Sequence, residues 1–243
     1  MDKSFESTVF QQLGEYQLVE EIGESALFRV FKARHRKLQR DVVIKFLRES
    51  TVDNGEALAR FRREMEAVGG LEHENIVWAT DAGEHEGSPY IVMEYLPGRT
   101  LQQIVAANGP LRIADACELA RQAAVGLGFI HSRQMVHRDV KPSNLLLTDS
   151  GSVKLLDFGL VRLADSMGTG EEITAAATML GTPDYIAPEQ ATDSRAVDAR
   201  ADIYSLGATL FELLTGSPPF AGKEFDTAVK KVLAHSQIGR AHV

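Results

Sequence analysis

Residues 136–159 read VHRDVKPSNLLLTDSGSVKLLDFG. Asp139, Lys141, Asn144 and Asp157 place two acids, a cation and an amide within 19 residues, with a β-hairpin pattern between Asn144 and Asp157. Any one of these acids alone would read as a solvated surface residue. As a set they match one kind of chemistry. Mg²⁺ takes one or two protein oxygens and leaves the rest of its shell to phosphates and water. Asn144 and Asp157 supply such oxygens, Asp139 can accept the proton of an attacking hydroxyl, and Lys141 can steady a γ-phosphate. The run HRDVKPSN followed by DFG is too long to be accidental.

Working outward, the first third of the chain alternates β-type runs with turns: YQLVEEIG, LFRVFKARH, RDVVIKFL and SPYIVMEYL. One helical pattern interrupts them, NGEALARFRREMEAVGGL, with Leu58, Phe61, Met65 and Val68 on its apolar face. After LPGRT, helical patterns dominate: LQQIVAANG, IADACELARQAAVGLGFIHSR and ADIYSLGATLFELLTG. These imply a β-rich lobe followed by an α-rich lobe, and a cleft between two such lobes is a natural ligand site.

Composition narrows the class. The 243 residues are 44% hydrophobic and 25% charged, an ordinary globular mix. A net charge of −8 argues against sequence-independent nucleic-acid binding, which needs a basic face. The one cysteine, Cys117, excludes an intrachain disulfide, fits a reducing compartment, and reads as a small core residue of a helix. The N-terminus has no apolar signal-peptide core, and no apolar run approaches the roughly 20 residues that span a bilayer. The histidines other than His137 show no metal-ligand pairing and read as structural or solvated.

On these residues the chain resembles the eukaryotic-like, bacterial Hanks-type serine/threonine protein kinases, from about Gly14 to about Ser236. The resemblance implies an α+β, two-lobed protein-kinase fold: a small antiparallel β lobe with helix C over 14–96, and a larger mainly helical lobe over 97–237. Residues 1–13 would be an N-terminal extension. Val42-Val43-Ile44-Lys45 matches the strand whose lysine meets the α/β-phosphates, and Glu64, 19 residues later, matches its helix-C partner. As an isolated pair they would be a surface ion pair worth under about 1 kcal/mol. Here strand, helix and both loops arrive in order.

His137-Arg138-Asp139 and Asn144 match the catalytic loop, Asp157-Phe158-Gly159 the metal loop, and Ala187-Pro188-Glu189 the end of the activation segment. By the same resemblance Asp139, Lys141, Lys45 and Glu64 are catalytic, and Asn144 and Asp157 hold Mg²⁺. ATP lies against Ile22, Gly23, Glu24, Ser25, Val30, Val43, Lys45, Met93 (the gatekeeper), Glu94, Leu96 and Leu146, with the Glu94–Leu96 backbone bonding the adenine. Asp202 braces the catalytic loop from a buried helix, or serves only as a helix cap. Arg138 pairs with a phosphate on the activation loop, at Thr174 or Thr178, and Thr182 belongs to the substrate platform. Lys141 and GTPDYIAPE are the Ser/Thr pattern and oppose a small-molecule kinase. The implied partners are protein substrates bearing Ser or Thr and the chain itself, by autophosphorylation. The implied location is cytoplasmic, with membrane contact only through a span beyond the chain.

The chain also departs from the family pattern. In EIGESALFRVFK, residues 21–32, Gly23 stands 22 residues before Lys45 and Val30 is in place, but Ser25 and Phe28 replace the second and third glycines. Glycine allows close backbone approach to phosphate there, and a side chain costs about 1–3 kcal/mol, or one to two decades of affinity. Serine is small and can donate to phosphate, while Phe28 reads as the aromatic tip of the lid, displaced by one residue. Val43, in place of the usual alanine, tightens the adenine slot. The alternative is a pseudokinase, a nucleotide-binding or scaffold module, but every residue that carries the chemistry is retained. At the other end the large lobe reads as incomplete, and IGRAHV, residues 238–243, reads as a non-native, sequencing-adapter-like tail.

Overall fold

The computed structural model describes residues 12–25, 28–48, 58, 65–66, 68–157, 184–192 and 197–221. The chain divides into two compact units, Met1–Leu71 with Trp78–Leu96, and Glu72–Val77 with Pro97–Val243. A single boundary at 96/97 therefore misses one feature, the return of 72–77 to the second unit. Its cause is local. Asn75 Nδ2 donates to Val153 O at 2.9 Å, Leu155 N–H donates to Asn75 O at 2.9 Å, and Val77 N–H donates to Leu155 O at 3.0 Å.

The first unit is a five-stranded antiparallel sheet in the order β1-β2-β3-β5-β4. Its strands are β1 (Tyr16–Glu24), β2 (Phe28–His35), β3 (Arg40–Leu47), β4 (Ala79–His85) and β5 (Ser88–Glu94). Alternation in RDVVIKFL sends Val42 and Ile44 to one face, where they form a core with Leu13, Tyr16, Ala33 and Val92. Leu13 is buried in that core, one residue before the expected start of the lobe. The Tyr16 hydroxyl donates to Asp81 Oδ2 at 2.7 Å, and burial and Asp81 together push the phenol well above the ordinary tyrosine range. The helical pattern over residues 54–71 lies largely outside the described residues; Leu58, Met65, Glu66, Val68 and Gly69 have helical backbone.

The second unit holds a three-stranded antiparallel sheet, β6 (Gly98–Thr100), β7 (Leu145–Thr148) and β8 (Val153–Leu155). Among the described residues its helices are α1 (Leu101–Asn108), α2 (Ile113–His131), α3 (Pro188–Thr192) and α4 (Ala199–Thr215). Thr100 and Gln103 close a capping box at the start of α1. The buried stripe of α2 is Ala116, Leu119, Ala120, Ala123, Gly126, Leu127 and Ile130. With Ala116 turned inward, the next residue is rotated about 100° away, so Cys117 is exposed and not a core residue. Asp198 caps the N-terminus of α4, and Gly216, left-handed at φ 81°, ends it.

Candidate active site

The site in the second unit is built on a buried acid. Asp202, in the first turn of α4, is fully buried. Its Oδ1 accepts Arg138 N–H at 2.7 Å, and its Oδ2 accepts His137 N–H at 2.8 Å and lies 2.7 Å from His131 Nε2. A buried carboxylate without such donors would cost several kcal/mol, so α4 and the 137–138 backbone fix one another. Asp198, not Asp202, is the helix cap. Arg138 takes a left-handed conformation, φ 67°, and its carbonyl accepts Gln190 Nε2 at 2.9 Å. The first turn of α3 thus also holds the loop.

From that anchor the loop presents its polar groups in order. His137 Nε2 donates to Leu156 O at 2.9 Å, which leaves Nδ1 to accept Asp139 N–H at 3.3 Å. Asp139 Oδ2 receives Lys141 Nζ at 2.8 Å and Asn144 Nδ2 at 2.7 Å. Asn144 Nδ2 also donates to Asp139 O at 2.8 Å. Both of its partners are acceptors, so the amide orientation is determined and Asn144 Oδ1 remains the acceptor end. Pro142, which has no N–H to satisfy, opens the 3₁₀ turn Pro142–Asn144. Asn144 O accepts Leu156 N–H at 2.9 Å. The backbone of Leu156 is therefore held at both its N–H and its carbonyl, and it delivers Asp157, itself left-handed at φ 55°. Such backbone persists only where its surroundings over-determine it.

In the first unit, Gly23 pairs with Val30, Val30 with Lys45, and Lys45 with Ile91 across four strands. Val43 pairs with Met93. Directly opposed residues share a face, so Gly23, Val30, Val43, Lys45 and Met93 lie on one side of the sheet, opposite the core of Val42 and Ile44. Lys45 is buried. Ser25 N–H donates to Phe28 O at 2.8 Å, and Phe28 N–H donates to Ser25 Oγ at 3.1 Å. Ser25, standing where a glycine was expected, thus closes the β1–β2 turn with its own hydroxyl. Arg48 donates to Ser25 O and to Glu24 Oε2, each at 2.8 Å.

Phe28 is not an exposed tip. It opens β2 opposite Leu47, is buried, and its ring lies 4.4 Å from Lys45 Nζ. Ile22 is exposed beside a β-bulge. Glu94 N–H donates to Trp78 O and the Glu94 carboxylate accepts Trp78 N–H, both at 3.0 Å, so the Glu94 N–H is already committed. Leu96 ends the first unit, and Leu146 lies on β7 between Thr100 and Lys154. Glu64, Thr174, Thr178 and Thr182 lie outside the described residues. Three contributors carried no signal of their own in the sequence: Gln190, His131 and Arg48.

The protein kinase domain model matches residues 16–241. The chain is 43% identical over 212 residues to serine/threonine-protein kinase PknB of Mycolicibacterium smegmatis, covering 85% of this chain and 33% of that protein. It is 40% identical over 224 residues to serine/threonine-protein kinase PrkC of Bacillus subtilis, covering 92% and 33%. The chain thus spans about a third of the length of these curated relatives. Among solved structures, a single-site mutant of the Mycobacterium tuberculosis PknI kinase domain matches with a TM-score of 0.67 at 29% identity, covering 86% of this chain and 76% of that one. Rad53 1–466 in complex with AMP-PNP matches with a TM-score of 0.71 at 30% identity, covering 93% and 53%.

Proposed function

The chain belongs to the protein kinase domain family, and we propose that it transfers the γ-phosphate of ATP to serine and threonine hydroxyls of proteins, itself included. The observation that carries this reading is the Asp139 carboxylate, oriented by Lys141 and Asn144 and anchored through the loop to Asp202. The substrate hydroxyl oxygen bonds to the γ-phosphorus as the bond to the ADP oxygen breaks, and its proton passes to Asp139. Oδ2 already accepts two donors, so Oδ1 is the oxygen that receives the proton. Lys141, 2.8 Å from Oδ2, keeps the carboxylate in place and lends positive charge to the transferring group.

Asn144 Oδ1 and the Asp157 carboxylate are hard donors of the kind Mg²⁺ takes, and they would hold an ion that neutralises phosphate charge. Lys45 would meet the α/β-phosphates. Ile22, Gly23, Glu24, Ser25, Val30, Val43, Met93 and Leu146 would surround the nucleotide. With the Glu94 N–H committed to Trp78, Leu96 N–H is the donor we assign to adenine. Arg138 would pair with phosphate on Thr174 or Thr178, and Thr182 would support the substrate. The relatives are named serine/threonine-protein kinases, and no described residue of the chemical set is replaced, so the pseudokinase alternative gains no support. No described helix is long and apolar enough to cross a membrane; we assign this domain to the cytoplasm.

Incubation with radiolabelled ATP, with and without Mg²⁺, followed by phospho-amino-acid analysis tests the proposal. Mg²⁺-dependent phosphoserine or phosphothreonine on the chain or an added protein is expected. Nucleotide binding with no transfer to any hydroxyl would overturn it.

A further inference from the structure

Position 28 carries a benzyl side chain where the sequence pattern leads one to expect bare backbone. Phe28 is 6% exposed and Lys45 4% exposed, with Lys45 Nζ 4.4 Å from the centroid of the Phe28 ring. The contact is built by the sheet. Phe28 is paired with Leu47, and Lys45 stands two residues away on the same face of β3. The mutual Ser25–Phe28 hydrogen bonds fix the strand end that carries the ring. An ammonium over an aromatic face within about 6 Å is attracted by the negative face of the ring, most strongly when both are out of water. That same negative face repels phosphate oxygens.

Resting on the ATP-binding reading above, we propose that Phe28 competes with the nucleotide phosphates for the Lys45 ammonium and so sets a weak affinity for phosphate-bearing ligands. The residue penalises the phosphates and leaves recognition of the nucleoside untouched. Losing the ring face therefore tightens ATP binding, whereas a merely disordered turn would loosen it. The strength of a buried cation–π contact converts to about 2- to 30-fold in affinity.

Calorimetric titration of the full chain with ATP and with adenosine tests this. Phe28→Leu keeps an apolar group in the buried position and removes the ring face, Phe28→Gly removes both, and Phe28→Tyr keeps the face. The expected result is ATP binding about 2- to 30-fold tighter in Phe28→Leu and Phe28→Gly, wild-type affinity in Phe28→Tyr, and adenosine affinity unchanged throughout. In a Lys45→Met background the Phe28→Leu gain should vanish. Wild-type binding of ATP with no tightening in Phe28→Leu and Phe28→Gly, or equal tightening for adenosine, would overturn the proposal. Failure of all of these proteins to bind ATP or adenosine would instead overturn the nucleotide-site reading, and the proposal with it.

Discussion

Asp202 shows how much one residue can carry. The His137 and Arg138 backbone N–H groups and the His131 ring all point at a carboxylate that water does not reach. In Asp202→Asn, one of the two oxygens becomes an amide NH2 that faces donors. We expect a stability loss of about 3 kcal/mol by urea unfolding, against about 1 kcal/mol for Asp198→Ala at the exposed cap of the same helix. Equal losses would mean that the buried network contributes no more than a cap. At Ser25 the hydroxyl is a turn-closing acceptor, so Ser25→Ala should cost about 1 kcal/mol and raise the KM for ATP about fivefold. An unchanged KM would remove Ser25 from the nucleotide site. At this scale the sequence was legible wherever neighbours in the chain are also neighbours in space: Asp139, Lys141 and Asn144 lie within six residues and bond to one another. It was not legible where a side chain had two ways to turn. Phe28 could point out or in, and the register with Leu47 decided for the buried face.

Among the elements, those whose residues carry a helical or β-type apolar pattern were readable and those without one were not. The helical patterns from Leu101, Ile113 and Ala201 and the strands β1, β2, β3 and β5 all appear where the patterns lie, the last helix beginning two residues earlier, at Ala199. Strand β4, ATDAGEH, was missed because Asp81, Gly83 and Glu84 leave no β-branched apolar run for alternation to reveal. Helix phase was also hidden at Cys117, where a rotation by one residue exchanges core for solvent. Two glycines on α2 turn that phase into a prediction. A Cβ at Gly126 would sit 2.8 Å from Leu155 Cδ1 and 2.9 Å from Asn75 O, whereas at Gly128 it would meet nothing within 4 Å. Gly126→Ala should destabilise by about 1–3 kcal/mol and the exposed Gly128→Ala should stabilise by about 0.5–1 kcal/mol, both read from thermal unfolding. Matching signs would contradict the packing of α2 against Asn75 and β8.

For the molecule as a whole, titration joins the two units in one observable. Tyr16 and Tyr90 in the first, and Tyr185 and Tyr204 in the second, all ionise later than free tyrosine, chiefly through burial, with Tyr204 pushed up to about 12. Tyr185 in addition donates to the buried Glu212. A raised phenol pKa stabilises the fold fully below the unfolded value of 10.0 and loses that contribution as the pH climbs toward the folded value. Stability should therefore hold through neutral pH and fall above about pH 10, with phenolate absorbance appearing later in the native chain than in denaturant. Coincident native and denatured titrations would contradict the burial of these rings. Family membership was legible at this scale because strand, loop and helix signatures came in one order. The return of residues 72–77 to the second unit was not, since it depends on hydrogen bonds between Asn75 and a strand 78 residues away.

The central claim is that Asp139 performs the transfer while other residues hold the nucleotide. Its most direct test is Mg-ATP phosphotransfer by the wild-type chain and by Asp139→Asn, with ATP affinity measured on the same two proteins. Transfer should fall by about 10²-fold or more in the variant, while ATP affinity stays within about twofold. Undiminished transfer by Asp139→Asn would contradict the account.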